Sequence, residues 1–356
     1  MTIKPGAIRF NTDSMKLEIF RGSANYEGSA SMVGIGTLAA GQWEEIQATS
    51  PEVQTGGTRG FAFGCIAGNG YNNYYYNISS TGDAIDFGDF ASNRYFCSAT
   101  SDRTRAVVDS GEGTMSSKEF FTMASGGGGT NFGNVSYDSS NGHRAASAVS
   151  NGTRAVFAGG DDFVTYRFNN IEYVTIQSTG NAVDFGDLYT GTRIMAEGNS
   201  STRGIYAGGD GDGSPSSHID VIQFITTSTL GNSADFGNLA QGDQSALTGA
   251  SNATRMIIAG GAAPNNNRSD TIEYLTIATL GDSIDFGNLT DGRQLASSSA
   301  SSTRVCIAGG EYGSPATRVN IIDYVQIAST GDAKDFGDLL ENTYVIGGTS
   351  NGHGGL

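Results

Sequence analysis

The chain has 356 residues, 53 of them glycine and only 5 of them proline, and its formal net charge is −16. So little proline excludes a collagen-like filament, and so acidic a surface would be repelled by nucleic acid and by an anionic bilayer. Hydrophobic residues make up 37% of the sequence, which is enough for a folded core, so we expect a globular protein with no nucleic-acid partner.

The sequence carries no signal for secretion or membrane insertion. Its apolar runs are a few residues long, far short of the roughly 18 that a membrane span needs. Met1–Phe10 lacks the apolar core of a secretory signal, so we expect synthesis in the cytoplasm. Cys65, Cys97 and Cys306 form no CxxC pair and predict buried, inert side chains rather than disulfides.

Residues 1–57 are predicted to form a separate N-terminal segment. Apolar residues in Ala7–Phe10 and Lys16–Phe20 flank a polar turn and indicate a β-hairpin, while residues 21–41 are rich in Gly, Ser and Ala and indicate a flexible connector. Since a bare hairpin is only marginally stable in water, we expect this one to dock on another surface. The expected attachment residues are Phe10, Phe20 and Trp43.

From residue 58 onwards two short motifs recur with a period of about 50 residues. The first is a Thr-Arg pair, found at Thr58-Arg59, Thr104-Arg105, Thr153-Arg154, Thr202-Arg203, Thr254-Arg255 and Thr303-Arg304. The second is an Asp-Phe-Gly or Asn-Phe-Gly triplet, whose phenylalanines are Phe87, Phe132, Phe185, Phe236, Phe286 and Phe336. Two independent markers that keep the same period six times indicate a repeat architecture.

Each repeat contains four short β-strand patterns and no helical pattern. Strand A precedes Thr-Arg, strand B runs from the arginine to a Gly-Gly doublet, strand C is an aromatic and β-branched run, and strand D leads into the triplet. Arg203–Gly209 is typical of strand B, and Ile171–Ile176 is typical of strand C. Four short strands in about 50 residues predict a β-propeller blade.

The array begins and ends in different strands of the repeat. Its first strand, at Thr58, is a B strand, and its last strand, Tyr344–Thr349, is an A strand. This last strand can complete the first blade and cover sheet edges that would otherwise promote aggregation. We therefore predict an all-β fold with a small N-terminal β-hairpin extension. Residues 58–356 form a six-bladed β-propeller of four-stranded antiparallel blades, closed by pairing of the C-terminal strand into the first blade.

The Gly-Gly doublet after an apolar strand, at this period, resembles the kelch propeller family over residues 58–356. Two departures stand out. The triplet phenylalanine stands where kelch blades usually carry tryptophan, and Gly64-Cys65 and Ser110-Gly111 replace the doublet in two blades. The resemblance implies a kelch-like architecture but no activity, because kelch repeats share none.

A second resemblance spans nearly the whole chain. Asn170–Asp187 and Ser350–Leu356 resemble the repeats of virion structural proteins from marine cyanobacterial tailed phages. Gly6–Phe20, continued by Gln42–Ile46, is similar to a hairpin common in phage tail proteins. The resemblance implies a virion component of the tail or its fibres that contacts other virion proteins through residues 1–57. Assembly with further copies of the chain is a second expectation about partners.

The B–C loops are predicted to carry recognition. The spacing from arginine to doublet and from strand-C aromatic to triplet is constant, whereas the gap between doublet and aromatic varies from 9 to 15 residues. Variable loops on a rigid scaffold are the usual place for binding, so we expect contact with host-surface polysaccharide or receptor. The candidate ligand-binding residues are Tyr71, Phe163, Tyr166, Arg167, His218, Arg268, Tyr312 and Arg318. The alternative is that these are solvated loops with a few packed aromatics.

The repeated arginines could form a carboxylate-binding cluster of the kind found in sialidase propellers. One arginine in each blade, with one aspartate in most blades, instead favours a structural ion pair or a strap on main-chain carbonyls. The triplet phenylalanines are predicted to be core residues between neighbouring blades.

Catalytic signals are few. His143, His218 and His353 are too scattered for a metal site, and Asp210–Ser214 looks like part of a calcium loop whose glutamate is missing. We therefore predict an adhesion module with no catalysis, no cofactor and no metal. Two alternatives stay open: a purely architectural decoration of the capsid or tail, and a surface-glycan hydrolase that uses a carboxylate pair.

Overall fold

The chain divides into two compact units, Met1–Gln54 and Thr55–Leu356. None of the described residues belongs to a helix that is long and apolar enough to cross a membrane. The computed structural model describes residues 8–11, 16–21, 42–45, 58–65, 72–92, 94, 96–111, 116–136, 143–162, 167–212, 217–265, 267–313, 315–344 and 347–354.

The first unit contains a three-stranded antiparallel sheet in the order β1-β2-β3. Its strands are β1 (Ile8–Asn11), β2 (Lys16–Arg21) and β3 (Gln42–Glu45). The predicted hairpin is present as the β1–β2 pair, in which Phe10 lies opposite Leu17. The third strand, β3, was not predicted from the sequence, and its pairing with β2 places Trp43 opposite Phe20. Apart from Arg21, the predicted connector 21–41 lies outside the described residues, and the attachment role of Phe10, Phe20 and Trp43 stays a prediction.

The second unit is built from short strands that pair in an antiparallel manner. In chain order they are β4 (Arg59–Cys65), β5 (Asn72–Asn77), β6 (Ile85–Asp89), β7 (Ala99–Ser101), β8 (Arg105–Val108), β9 (Ser117–Thr122), β10 (Thr130–Asn134), β11 (Ser147–Ser150), β12 (Arg154–Ala158), β13 (Asn170–Thr175), β14 (Val183–Asp187), β15 (Thr192–Arg193), β16 (Ala196–Asn199), β17 (Arg203–Ala207), β18 (Asp210–Gly211), β19 (Ser217–His218), β20 (Val221–Thr226), β21 (Ala234–Asn238), β22 (Thr248–Ser251), β23 (Arg255–Ala259), β24 (Thr271–Thr276), β25 (Ile284–Asn288), β26 (Arg293–Gln294), β27 (Ser297–Ala300), β28 (Arg304–Ala308), β29 (Glu311–Tyr312), β30 (Thr317–Gln326), β31 (Lys334–Thr343) and β32 (Gly347–Ser350).

Most of these strands form four-stranded antiparallel sheets, consistent with a β-propeller-like fold. Within the described residues the strand orders, from A to D, are β32-β4-β5-β6 in sheet I, β7-β8-β9-β10 in sheet II, β11-β12-β13-β14 in sheet III, β16-β17-β20-β21 in sheet IV, β22-β23-β24-β25 in sheet V and β27-β28-β30-β31 in sheet VI. In each sheet the A–B and C–D turns lie at one end, which we call the turn end. The B–C and D–A connections lie at the other end, the loop end.

The C-terminal strand pairs with the first strand of the repeat array. In the β32–β4 pair, Gly348 lies opposite Ala62 and Thr349 lies opposite Phe61. The strand predicted to be left over at the end of the array is therefore the A strand of sheet I.

Hydrogen bonds at the turn end join each sheet to the next. The amide of a C–D turn glycine donates to the carbonyl of the triplet phenylalanine in the preceding sheet at 2.8–3.0 Å. The pairs are Gly127 with Phe87, Gly180 with Phe132, Gly231 with Phe185, Gly281 with Phe236, Gly331 with Phe286 and Gly82 with Phe336. The last pair joins sheet I to sheet VI.

The close approach that these hydrogen bonds impose explains why the third residue of the triplet is glycine. Gly237 has a φ of +155°, and a Cβ on it would lie 2.4 Å from the carbonyl oxygen of Gly281 in the next sheet. The other triplet glycines have φ between +123° and +153° and the same close approach. Only glycine combines this backbone conformation with so small a distance.

The triplet phenylalanines are core residues, as predicted. Each is buried and lies edge-on to the strand-C aromatic of its own sheet, with ring centroids 5.8–6.1 Å apart. Each also packs against the neighbouring sheet: Phe336 of sheet VI, for example, lies with Tyr76 and Ile78 of sheet I in one apolar cluster. The apolar core therefore lies between the sheets.

Candidate binding face

The six Thr-Arg arginines are structural straps at the turn end. Each guanidinium stacks over the strand-C aromatic of its own sheet, 4.1–5.3 Å from the ring centroid. Its Nη1 donates to a main-chain carbonyl of the next sheet at 2.7–3.0 Å. The pairs are Arg59 with Met123, Arg105 with Ile176, Arg154 with Ser228, Arg203 with Ile277, Arg255 with Ile327 and Arg304 with Ile78. The predicted carbonyl strap is confirmed.

The A strands line a narrow space that has no room for a ligand. In sheets I to V the last residue of the A strand is a serine or asparagine whose side chain donates to a main-chain carbonyl of the preceding sheet, as Ser101 Oγ does to Ser350 at 2.8 Å and Asn199 Nδ2 does to Ser150 at 2.6 Å. In sheet VI the corresponding residue is Ala300. The space enclosed is about 20 Å³, which holds about one water molecule.

The C-terminal tail covers the turn end of this space. His353 Nε2 lies 3.1 Å from the carbonyl oxygen of Ser101, and the Gly354 amide donates to Ser251 at 2.7 Å. Burial lowers the pKa of His353 to about 4, so the imidazole is neutral. This histidine packs as a structural residue.

A buried ionic quartet joins sheets II and III at the loop end. It consists of Asp109, Lys118, His143 and Glu172. The Lys118 ammonium contacts Asp109 and lies 2.6 Å from Glu172 Oε1. His143 Nδ1 lies 3.3 Å from Asp109 Oδ2, and its Nε2 lies 2.8 Å from the Gly159 carbonyl oxygen. Both imidazole nitrogens therefore face acceptors, which fits the protonated ring.

The quartet has ligands at metal-binding distances, but its own lysine serves as the cation. Asp109, His143 and Glu172 offer ligand atoms within 4.8 Å of one another. Burial by itself would lower the pKa of Lys118, but the two carboxylates outweigh burial and raise it. Burial likewise opposes protonation of His143, but Asp109 outweighs burial and raises the pKa of this histidine. Burial raises the pKa of Asp109, but Lys118 and His143 outweigh burial and hold it below its usual value. Two positive and two negative charges then balance without a metal ion.

The sequence carries a signal for this quartet at two positions of the repeat. Asp109 stands where four other repeats have alanine at the end of strand B, for example Ala158. Lys118 stands where four other repeats have isoleucine in strand C, for example Ile171. The predicted inert cysteines are confirmed for Cys97 and Cys306, which are buried; burial raises both thiol pKa values, that of Cys97 to about 12. The side chain of Cys65 lies outside the described part of the chain.

Four of the candidate ligand-binding residues occupy one equivalent place at the loop end. Beyond the doublet, sheets III to VI each continue as a small three-stranded ladder, which we call a loop ladder. Its three positions are Arg144-Asp161-Arg167 in sheet III, Arg193-Asp210-His218 in sheet IV, Ser245-Ala262-Arg268 in sheet V and Gln294-Glu311-Arg318 in sheet VI. The third position holds Arg167, His218, Arg268 and Arg318, whose equivalence was not apparent from the sequence.

Alternating charges connect loop ladders III and IV. Arg144 Nε lies 2.8 Å from Asp161 Oδ1, and Arg193 contacts Asp161 and also lies 2.8 Å from Asp210 Oδ2. Arg167 Nη2 reaches the same Asp210 oxygen at 2.7 Å. Asp210, which the sequence placed in a segment resembling part of a calcium loop, therefore pairs with two guanidinium groups.

The remaining candidates are placed as follows. Tyr312 is 42% exposed on β29, and Arg318 stacks 4.5 Å over the Tyr344 ring, with its Nε 3.9 Å from Glu311. The other three candidates, Tyr71, Phe163 and Tyr166, lie outside the described residues.

Comparison with known proteins adds no family. No protein-family model matches this chain, and no curated protein matches it. What the chain does is therefore inferred from its own residues.

Proposed function

We propose that residues 58–356 form a closed, six-bladed, kelch-like propeller that serves as an adhesion module in a phage virion. Two sets of contacts between neighbouring sheets and one strand pair support the closed ring, because each includes a link between the two ends of the array. The first set is the glycine-to-phenylalanine main-chain hydrogen bonds, which include Gly82 with Phe336. The second set is the arginine straps, which include Arg304 with Ile78, and the strand pair is β32–β4. In a closed ring every sheet has a neighbour on both sides.

The loop end is the surface that contacts the host. One observation carries this proposal: the loop ladders share one backbone register, yet their side chains differ from sheet to sheet. At the turn end the same residue types recur in every sheet. A rigid scaffold that presents different side chains at equivalent points is the usual design of a binding surface.

The resemblance of Asn170–Asp187 and Ser350–Leu356 to cyanophage virion proteins supports the virion assignment. The N-terminal sheet, with its resemblance to a phage tail hairpin, ties the propeller to other virion proteins. Binding of this kind needs neither a cofactor nor a metal. Asp161 and Asp210, the carboxylates of the joined ladders, are each held by two arginines.

The test is adsorption of the labelled full-length chain to cyanobacterial cells. A variant combining Arg167→Ala, His218→Ala, Arg268→Ala and Arg318→Ala alters the loop ladders, and we expect it to lose most of the adsorption. The matched control combines Leu230→Ser and Leu280→Ser, two turn-end side chains that are 58% and 57% exposed, and should adsorb normally.

Three outcomes would contradict the adhesion role. Equal adsorption by both variants would mean that the loop ladders are not the contact. A particle reconstruction with the loop end buried against other virion proteins would favour the architectural alternative. Release of oligosaccharide from the cell envelope by the purified chain would favour the hydrolase.

A further inference from the structure

The quartet between sheets II and III brings an amine and a carboxyl group together away from water. The side chain of Lys118 is 0% exposed, and those of Asp109 and Glu172 are each 1% exposed. The Lys118 ammonium contacts Asp109 Oδ1 and lies 4.0 Å from the centroid of the Phe157 ring. Two groups that the fold holds in contact do not need to collide in order to react, so much of the entropic barrier to a bond between them is already overcome.

Hydrogen-bond donors surround both oxygens of the Asp109 carboxyl group. The Ser110 amide donates to Oδ1 at 2.7 Å, and the Ser110 hydroxyl donates to the same oxygen at 3.2 Å. On the other side, His143 Nδ1 lies 3.3 Å from Oδ2. Donors in these places stabilise the negative charge that builds on the carboxyl oxygens when an amine attacks the carbon. Asp109 is therefore the electrophile of the quartet.

Glu172 is placed to carry protons between these groups. Its Oε1 lies 2.6 Å from the Lys118 ammonium, while its Oε2 accepts from the Ser136 amide at 2.6 Å. The main chain therefore fixes one oxygen and leaves the other facing the amine. A carboxylate oxygen of Asp109 lies within 4.8 Å of one of Glu172. A carboxylate in this position can take a proton from the ammonium and release it to an oxygen of the neighbouring carboxyl group.

Burial favours the joined state over the separate ions. In water, hydration of the ammonium and the carboxylate stabilises the separate ions, but the buried quartet lacks that hydration. Condensation of Lys118 with Asp109 removes two buried charges and leaves Glu172 and the protonated His143, one negative and one positive, still in balance. The ion pair is the resting form before the reaction. The bond has to form only once, and the buried site protects it from hydrolysis.

We propose that Lys118 and Asp109 condense after folding to form an isopeptide bond between Nζ and Cγ. Glu172 takes one proton from the ammonium, and the resulting amine attacks Cγ. The Cγ–Oδ2 bond then breaks, and Oδ2 leaves as water with two of the three ammonium protons, which Glu172 carries to it in turn. His143 donates a hydrogen bond to the departing oxygen, and the third proton stays on the amide nitrogen. The reaction consumes no co-reactant and does not depend on what the loop end binds.

The test is the mass of the purified full-length chain, measured after denaturation. We expect it to be lower than the mass of the sequence by about 18 Da, which is one water. Proteolysis after glutamate cuts the chain at Glu112, between the two joined residues, and should leave the resulting peptides attached to each other. This digestion excludes a cyclised aspartate, which loses the same water but lets the peptides separate.

Three variants provide matched controls. Lys118→Ile and Asp109→Ala introduce the residues that four other repeats carry, and each should have the full mass of its sequence. Glu172→Gln introduces the residue that sheet IV carries at the equivalent position, Gln223, whose side-chain oxygen also accepts from a main-chain amide. This variant should fold but form the bond about a hundredfold more slowly, because it has lost the proton carrier.

A native chain with the full mass of its sequence would overturn the proposal. So would a missing water that persists in Lys118→Ile, or peptides that separate after cleavage at Glu112. A bond from Lys118 to Glu172 would contradict the assignment of Asp109 as the electrophile. Undiminished bond formation in Glu172→Gln would contradict the assignment of the proton carrier. The measurements on the native chain decide the proposal even if a variant fails to fold.

Discussion

The turn end and the loop end of the sheets are built on the same strands but follow different rules. At the turn end every repeat makes the same two hydrogen bonds to a neighbouring sheet: a glycine amide donates to a phenylalanine carbonyl, and an arginine side chain donates to a main-chain carbonyl. At the loop end one contact also recurs: in sheets II to VI a strand-C side-chain oxygen accepts from a main-chain amide of the preceding sheet, as Glu172 does from Ser136. The other side chains there differ, from the quartet between sheets II and III to the charged ladders of sheets III and IV. The comparison teaches that the turn end uses the same contacts between sheets throughout, while the loop end combines one recurring contact with contacts made only once, such as the pair between Arg167 and Asp210.

The largest effect is expected in the quartet at the loop end. Lys118→Ile leaves Asp109 and Glu172 buried without their cation, and we expect it to lower the free energy of unfolding by about 3–5 kcal/mol. The double variant Asp109→Ala, Lys118→Ile restores the residue pair of sheets III to VI and should lose less than the single one. Urea denaturation measures both. A double variant less stable than the single would contradict the repeat-based interpretation.

The two buried histidines should give opposite pH dependences. Burial lowers the pKa of His353, at the turn end, to about 4, so stability should fall by up to about 3 kcal/mol as the pH drops from about 6.5 towards 4. Asp109 raises the pKa of His143, at the loop end, despite burial, so its contribution is complete below about pH 6.5 and is lost as the pH rises through the raised value. The measurement is the free energy of unfolding from pH 4 to pH 9. The variant His353→Gln should flatten the acid side of this profile, and His143→Gln should flatten the alkaline side. Unchanged profiles in both would refute the assignment.

At the turn end, Gly237→Ala should cost about 2–3 kcal/mol of folding stability. The new Cβ would meet the Gly281 carbonyl, and φ would be unfavourable. Gly242→Ala is the matched control, because Gly242 also has positive φ, +80°, but has nothing within 4 Å of its Cβ position. Thermal unfolding of the two variants separates the contact between sheets from the backbone conformation. Equal losses would show that the close approach contributes nothing.

The smallest change in stability is expected from replacing single arginines, one at the turn end and one at the loop end. Arg203→Met removes the bond to Ile277 and the stacking on Phe224, and should cost about 1–2 kcal/mol. Arg318→Met, whose side chain is 41% exposed at the loop end, should change stability by less than about 0.5 kcal/mol. Denaturant midpoints measure the difference. Similar losses at both positions would mean that the two ends do not differ in their dependence on arginine.

Much of the fold followed from local pattern, and much of the candidate site did not. The Thr-Arg and triplet spacing predicted the strands, the strap and the phenylalanine core, because these contacts recur and so leave a periodic trace. The loop ladders were invisible, since their pairing joins residues such as Arg193 and Asp210 that only the fold brings together.

The sequence by itself determined the all-β class, the period of the repeat and the residue types at the turn end, since each of these is a short-range pattern repeated many times. Only the tertiary structure decided that Lys118 neutralises two carboxylates, that β3 completes the N-terminal sheet, and that Arg167 pairs with Asp210 of the next sheet. The physical reason is that a charge or a ring acquires its role from partners that are close in space, and no periodicity encodes a contact made only once.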